Sequence, residues 1–436
     1  MSAEDIDEGD PGTSTKRPVR TASSGILGTG PLAPLARGDF LRLLLADGLW
    51  WQSMWMEFLV TGWIALELTD SAWWVSVIAF CRSVPVPFVG FLGPVWAERF
   101  QRRRVVQCLQ GINFLGAATL AILYQTDRLE YWNLAVVALI NGAAWALDWP
   151  TRRALVPDLV GRDRVVDGMV LENVLQSLTR LSGPLLAGVA MSRLGAGGAL
   201  WLLCGISGLG FIILLGLQTQ SCSPEPTAGI RAAWGRLREG LAYVRRNSAI
   251  LGTLLITVIM NAWAFPFQAL LPVFARDVLG QGPLGLGLLG AANGVGALIG
   301  LLAVNLARRS VSNPTIFSAG SFLACIGLVA FSLSGSMAVS LLALAVAGVG
   351  QAGFSIMQSS IILVESTDDM RSRAMGALVL AIGIGPVGRV QAGAMAAIWS
   401  APVAVGCMAA SGAVATLGVM AFLTGFVRHR WSNLSD

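Results

Sequence analysis

Long apolar stretches alternate with short polar segments along almost the whole chain. Twelve such stretches lie between residues 39 and 427, and each has about the 20 residues with which an α-helix crosses about 30 Å of hydrocarbon. They cover 41–67, 73–96, 105–124, 131–149, 169–190, 198–217, 250–274, 284–306, 315–334, 338–361, 375–397 and 401–426. The pattern predicts an all-α polytopic membrane protein with twelve transmembrane helices.

A long polar break between the sixth and seventh stretches divides the helices into two blocks of six. We therefore predict a disordered tail at 1–38, a six-helix half at 39–217, a linker at 218–248, a second six-helix half at 249–427 and a short tail at 428–436. Within the linker, apolar residues recur at helical spacing between arginines, at Ile230, Trp234, Leu237, Leu241 and Val244. This spacing predicts an amphipathic helix on the membrane surface, which acts as a tether or as a lipid sensor.

Arginine is concentrated in every second connection between the stretches. One side holds Arg99, Arg102, Arg103, Arg104, Arg152, Arg153, Arg162, Arg164, Arg231, Arg236, Arg238, Arg245, Arg246, Arg308, Arg309, Arg371, Arg373, Arg428 and Arg430. The other side holds Arg128, Arg193 and Arg276. Because cytoplasmic loops carry the excess of basic residues, we expect both termini and the linker to be cytoplasmic.

Composition narrows the class of protein further. The chain is 55% hydrophobic and 13% charged, whereas an average soluble domain is about 25% charged. Its basic residues lie between apolar spans instead of forming one patch, which argues against nucleic-acid binding. The six cysteines are scattered and His429 is the single histidine, so we expect neither disulfides nor a zinc site. No G-x-x-x-x-G-K-S/T phosphate loop is present, and we expect no cofactor.

The connection after the second stretch carries a recognisable motif. It reads Gly93-Pro94-Val95-Trp96-Ala97-Glu98-Arg99-Phe100-Gln101-Arg102-Arg103-Arg104, which resembles the G-x-L-A-D-R-x-G-R-R loop of the major facilitator superfamily. It departs from that pattern at Pro94, Glu98 and Gln101. The resemblance implies that Glu98, Arg99, Arg102 and Arg103 form a cytoplasmic latch with Asp148 at the end of the fourth stretch, followed by Arg152. The alternative is a solvated basic loop.

The fifth stretch carries a second motif, Ser182-Gly183-Pro184-Leu185-Leu186-Ala187-Gly188. It is similar to the G-P-x-x-G-G element of superfamily antiporters, which favours export, although general small-residue packing is an equal alternative. Gly183-Pro184 has a counterpart in Gly385-Pro386, 202 residues later, and Arg102-Arg103 has one in Arg308-Arg309, 206 residues later. These near-equal offsets indicate an internal repeat and two pseudo-symmetric halves.

Polar side chains inside the apolar stretches are the remaining candidates, because a charge at the bilayer centre is costly and usually functional. The candidates for proton coupling or the substrate cavity are Glu57, Asp47, Arg82, Arg180, Gln52, Trp55, Asn261, Gln268, Gln358 and Arg389. Glu57 is the first candidate for the proton carrier. A static ion pair with Arg82 or Arg180 is the alternative, and snorkelling is a third. Asp47 is the second candidate on the same stretch.

Tryptophans flank Glu57 at positions 50, 51 and 55. An aromatic cavity suits flat or cationic organic molecules. Packing of these rings against lipid is an equal alternative.

Three segments, Leu66 to Ala72, Arg82 to Pro85 and Trp149 to Val160, resemble the superfamily branch of drug and siderophore exporters that includes the enterobactin exporter. The resemblance implies a monomeric, proton-coupled exporter of amphiphilic organic molecules in the bacterial inner membrane. Its partners are a small organic substrate, protons and membrane lipids. An importer or lipid flippase on the same scaffold, or a non-transporting receptor or assembly factor, are the alternatives.

Overall fold

The computed structural model describes residues 30, 32–90, 100–218, 230–367 and 369–422. The predicted tail at 428–436 and nearly all of the tail at 1–38 lie outside these residues, as do the central part of the latch loop and residues 219–229 of the linker.

The first half consists of long helices joined by short connections. They are α1 (Gly38–Thr69), α2 (Ala72–Gly90), α3 (Arg102–Gln125) and α4 (Tyr131–Val160), followed by the continuous stretch Val165–Leu215. Gly195 interrupts this stretch with a φ of 71°, a left-handed conformation that glycine adopts without a steric cost. The stretch therefore comprises two helices, α5 (165–194) and α6 (196–215).

The second half repeats this arrangement after the linker. The linker helix α7 (Ile230–Val244) precedes α8 (Ser248–Val278), α9 (Pro283–Ala307), α10 (Asn313–Ser332), α11 (Met337–Glu365), α12 (Arg373–Ile398) and α13 (Ala401–Phe422). Two short π-helical segments, Met260–Ala264 and Phe274–Val278, widen α8 locally. A turn at residues 383–384 divides α12.

The described residues contain ten helical stretches that are long and apolar enough to cross a membrane. One of the ten, Val165–Leu215, holds two helices. α1 has 32 residues and is about 48 Å long at 1.5 Å per residue, but its buried polar residues lower its mean hydropathy. With α1 and the divided stretch, the count reaches the twelve transmembrane helices that the sequence predicts. This confirms the predicted fold class.

The linker helix packs against the second half. Glu239 forms an ion pair with Arg373 at 2.9 Å, and a Cβ atom on Gly240 would lie 2.7 Å from the Arg373 carbonyl oxygen. Val244 joins an apolar cluster with Ala374 and Leu378. The C-terminal part of α7 is therefore fastened to the start of α12. We call the membrane face on which α7 lies the linker side, and the opposite face the far side.

The two halves meet closely toward the far side. α5 crosses α9 on glycines, where a Cβ atom on Gly188 would lie 2.8 Å from the Gly287 Cα. α2 crosses α12 in the same way, where a Cβ atom on Gly393 would lie 2.5 Å from that of Ser76. Asp70, at the end of α1, forms an ion pair with Arg276 near the end of α8. These contacts hold the far side closed.

Candidate functional site

A buried arginine on α4 joins two carboxylates of the first half. Arg152 donates to both oxygens of Asp148, at 2.8 and 3.1 Å, and to Asp47 Oδ1 at 2.6 Å. It also donates to Gln110 Oε1 at 2.8 Å and lies over the Trp50 ring. The Asp148–Arg152 contact follows from the i, i+4 spacing on one helix, whereas α1 and α3 bring Asp47 and Gln110 to it.

This cluster is dry and has an uneven charge. The side chains of Arg152, Asp148 and Asp47 are 1%, 0% and 4% exposed. Two carboxylates therefore share one guanidinium, and Glu172 on α5 adds a further negative charge near Asp47 while it pairs with Arg153 at 3.3 Å. Among the described residues, no three His, Cys, Asp or Glu side chains are arranged to hold a metal ion.

Glu57 lies further along α1 than Asp47 and has two partners. Arg82 of α2 lies 2.9 Å from Glu57 Oε1, and the Asn141 amide of α4 donates to the same oxygen at 2.8 Å. α2 and α4 approach so closely here that a Cβ atom on Gly142 would lie 1.8 Å from the Arg82 carbonyl oxygen. The negative charge of Glu57 is therefore balanced by the positive charge of Arg82, as the alternative of a static ion pair predicts.

Arg180 of α5 connects the two halves. Its Nη2 atom donates to Asn293 Oδ1 of α9 at 3.0 Å and to Gln351 Oε1 of α11, and its guanidinium lies 5.7 Å from the Trp55 ring centre. Both hydrogen-bond acceptors are neutral amides. Its positive charge is therefore held by hydrogen bonds without a carboxylate among the described residues.

A cavity of about 170 Å³ lies between the halves at the level of these residues. Its walls are mainly aromatic and apolar, and they include Trp55, Phe58 and Trp145. The charged and polar groups on its walls include Arg82, Arg389 and Gln268. We call this space the central cavity. Of the predicted cavity residues, Arg82, Trp55, Gln268 and Arg389 line it, whereas Asp47 belongs to the Arg152 cluster.

The other predicted amides serve packing in this conformation. Gln52 of α1 accepts from Ser182 of α5 at 2.8 Å, and buried Gln358 of α11 donates to the Thr257 hydroxyl of α8 at 2.8 Å. Asn261 donates to the Thr257 carbonyl of its own helix at 2.9 Å. None of these contacts requires a substrate.

The glycines of the predicted helix-bend motif allow close packing. A Cβ atom on Gly183 would lie 2.5 Å from that of Trp55, and Gly188 faces α9 as described above. Pro184 lies within α5, which remains helical there. Gly385 and Pro386 instead begin a new helical segment after the turn in α12.

The latch motif is only partly described. Glu98 and Arg99 lie outside the described residues. Arg102 donates to Asp158 at 2.9 Å and to the Ala154 carbonyl at 3.1 Å, both near the end of α4, whereas Asp148 bonds Arg152. The Nε atom of Arg103 is buried and has no hydrogen-bond partner in the described part of the chain. In this conformation Arg102 therefore joins α3 to α4 through Asp158 and not through Asp148.

Sequence reasoning missed Gln110, Asn141 and Trp145. Gln110 completes the Arg152 cluster, Asn141 holds Glu57, and Trp145 lines the central cavity. The first two are amides in the middle of apolar stretches, and that position was the signal that could have found them. For Trp145 no signal distinguishes a cavity wall from a lipid contact.

The curated relatives are named as transporters, efflux pumps or exporters. The chain is 20% identical to the multidrug efflux pump Tap of Mycolicibacterium fortuitum over 83% of this chain and 90% of that protein. It is 26% identical to the enterobactin exporter EntS of Salmonella typhimurium over 71% of this chain and 73% of that protein. The match to the staphyloferrin A transporter of Staphylococcus aureus, at 23% identity, spans 32% of this chain and about a third (35%) of that protein.

Solved structures share the fold at low identity. A POT family transporter in complex with 5-aminolevulinic acid has a TM-score of 0.73 at 12% identity and covers 89% of this chain and 96% of its own. The nucleoside transporter NupG has a TM-score of 0.69 at 14% identity and covers 88% of this chain and 98% of its own.

The sequence profile of the family described as transmembrane secretion effector matches residues 29–430. The chain therefore belongs to this family of major facilitator transporters and is a membrane transport protein, not an enzyme.

Proposed function

We propose that the protein is a proton-coupled exporter of amphiphilic organic molecules in the bacterial inner membrane, with both termini and the linker side facing the cytoplasm. The observation that carries the coupling is the Arg152 cluster, in which two buried carboxylates share one guanidinium. Export is supported by the relatives named as exporters or efflux pumps, together with the Gly183-Pro184 motif of α5.

The charge balance of the Arg152 cluster favours a bound proton. Arg152 neutralises one carboxylate, so ionisation of both Asp47 and Asp148 leaves a buried negative charge. Burying an uncompensated ionised carboxylate is costly, and a proton on Asp47 or Asp148 removes that cost. When the halves rearrange and water reaches the cluster, the ionised form is solvated and the proton is released.

Glu57 has no comparable excess of charge. Arg82 balances it one to one and Asn141 supplies a further hydrogen bond, so its negative charge has a partner of its own. We therefore propose Asp47 and Asp148 as the proton carrier. Glu57 instead holds Arg82 in position through their ion pair.

Alternating access supplies the transport step. The contacts at Gly188, at Gly393 and between Asp70 and Arg276 close the far side, and we propose that the central cavity loads from the linker side. Rupture of these contacts would open the cavity outward. The membrane potential supplies about 2.3 kcal/mol per charge and 100 mV to this cycle.

Inverted membrane vesicles test the proposal. An acid-inside pH gradient is imposed by ammonium dilution, the potential is clamped with potassium and valinomycin, and uptake of two dyes is measured by filtration. The dyes are 2-naphthalenesulfonate and 2-naphthyltrimethylammonium, which share a ring system and carry opposite permanent charges. We expect gradient-driven accumulation of at least one dye. Accumulation of neither would contradict the proposed export.

Variants then locate the proton. Asp47→Asn should abolish gradient-driven accumulation while dye exchange without a gradient persists, because the substitution mimics the protonated form. Glu57→Gln should slow transport but keep its response to the gradient. Asp39→Asn is the matched control, since Asp39 lies on the same helix in a surface pair with Arg42. Normal accumulation by Asp47→Asn would exclude Asp47 as the carrier.

A further inference from the structure

The centre of the transporter carries an excess of positive charge. Three arginines, Arg82, Arg180 and Arg389, lie in and around the central cavity, and Glu57 is the carboxylate that pairs with one of them. Arg180 is held by two neutral amides. Charges at this depth are costly unless something compensates them. The protein therefore maintains two guanidinium groups without a carboxylate partner in the described part of the chain.

Arg389 is the most informative of the three. Its side chain lines the central cavity from α12, and it has neither a hydrogen bond nor an ion pair among the described residues. Gly385, one turn earlier, leaves room for it, because a Cβ atom there would lie 2.9 Å from Arg389 Nη1. Arg82 lines the same cavity from α2. Arg389, which is unpaired, and Arg82, which is paired with Glu57, thus line one space from opposite halves.

Several unpaired neutral groups near the cavity are donors, although the acceptor Asn141 Oδ1 is unpaired there as well. Trp55 Nε1 and Trp145 Nε1 are buried atoms of the cavity wall without a hydrogen-bond partner in the described structure. Nε2 of Gln351, a residue that accepts from Arg180 and is not part of the cavity wall, is also buried and unpaired in the described structure. Buried polar groups are normally satisfied. Together with the unpaired guanidinium of Arg389, these N–H groups favour a ligand that supplies acceptor oxygens.

We propose that the central cavity binds an organic anion, with its acidic group between Arg82 and Arg389 and its planar apolar body against Trp55, Phe58 and Trp145. This inference rests on the proposed function for the role of the cavity as the substrate site. It replaces the cationic substrates that the tryptophans alone suggested. Guanidinium groups pair with carboxylate or sulfonate through two parallel hydrogen bonds, which fixes the head group.

Anion binding also links the substrate to closure of the cavity. Without a ligand, the charge of Arg389 has no partner in the described part of the chain, whereas Glu57 neutralises Arg82. An anion bound to Arg389 and Arg82 supplies that partner and draws α12 toward α2. The cavity of about 170 Å³ is smaller than the 300–1,000 Å³ of typical ligand sites, so a larger substrate requires wider separation of the halves before closure.

Equilibrium binding tests the charge preference without reference to direction or coupling. The purified protein in lipid nanodiscs is titrated calorimetrically with 2-naphthalenesulfonate and with 2-naphthyltrimethylammonium. We expect the sulfonate to bind at least tenfold more tightly than the ammonium compound. Arg389→Gln should weaken sulfonate binding at least tenfold, and Arg389→Lys should recover part of the loss. Arg193→Gln, at an exposed site away from the cavity, is the control and should bind as the wild type does.

The outcomes separate this inference from the proposed function. Equal or tighter binding of the ammonium compound, or undiminished sulfonate binding by a folded Arg389→Gln variant, overturns the anion site. Gradient-driven accumulation of the ammonium dye alone would support export and refute the anion preference. Sulfonate binding without gradient-driven accumulation of either dye would support the site and refute the proposed export.

Discussion

Arg152 offers the sharpest test of how the first half is held together. Its side chain is 1% exposed and makes hydrogen bonds to Asp47, Asp148 and Gln110. Arg152→Gln removes the one positive charge and leaves two buried carboxylates facing each other. Removing one partner of a buried ion pair costs about 3–5 kcal/mol. We expect a loss of stability in this range.

The matched comparison is Arg102→Gln. Arg102 pairs with Asp158 where the two side chains are 28% and 29% exposed, and exposed ion pairs contribute about 0.2–1 kcal/mol. The two arginines are on neighbouring helices of the same half, so the contrast is between a buried cluster with two carboxylates and an exposed pair with one. Denaturant unfolding of the purified proteins, followed by tryptophan fluorescence, measures both losses.

A combined variant identifies the cause. Asp47→Asn, Asp148→Asn and Arg152→Gln together remove all charge from the cluster and leave amides that hydrogen-bond one another. This variant should recover most of the stability that Arg152→Gln loses, because the cost arises from uncompensated charge. If Arg152→Gln is as stable as Arg102→Gln, or if the combined variant is no more stable than Arg152→Gln, the charge argument is wrong.

Three further predictions concern the closed state and its orientation. Gly188→Val should prevent closure of the far side, because its added carbons overlap the α9 backbone. The variant should still bind dye but should not transport it, and unchanged transport would show that α5 and α9 do not need to cross this closely. Asp70→Asn should weaken the contact with Arg276 and raise the reactivity of cysteines placed in the central cavity toward reagents from the far side; unchanged labelling would show that the pair does not hold this side closed. A cysteine introduced at position 128 should react from outside intact cells and one at position 236 should not, and the reverse would overturn the assigned orientation.

The sequence determined the number, length and grouping of the helices. Hydrocarbon requires that each spanning segment satisfy its own backbone hydrogen bonds, so about 20 apolar residues in a row leave few alternatives to a helix. This is why α2 to α6 and α8 to α13 are readable from hydropathy, and why α1 remains readable despite Asp47 and Glu57. The same reasoning identified Asp47 and Glu57 as charged residues inside an apolar stretch, and the structure buries both.

Only the tertiary structure decided which charges meet. Asp47 and Glu57 are ten positions apart on one helix. Nothing in their local sequence shows that Asp47 shares its arginine with a second carboxylate whereas Glu57 does not. Asp47 shares Arg152 with Asp148, whereas Glu57 has Arg82 to itself. Ion pairing depends on the rotation and the depth at which helices distant in the chain pack. The lack of a carboxylate beside Arg389 in the described structure has the same origin, because the charge balance of the cavity is a property of the assembled bundle.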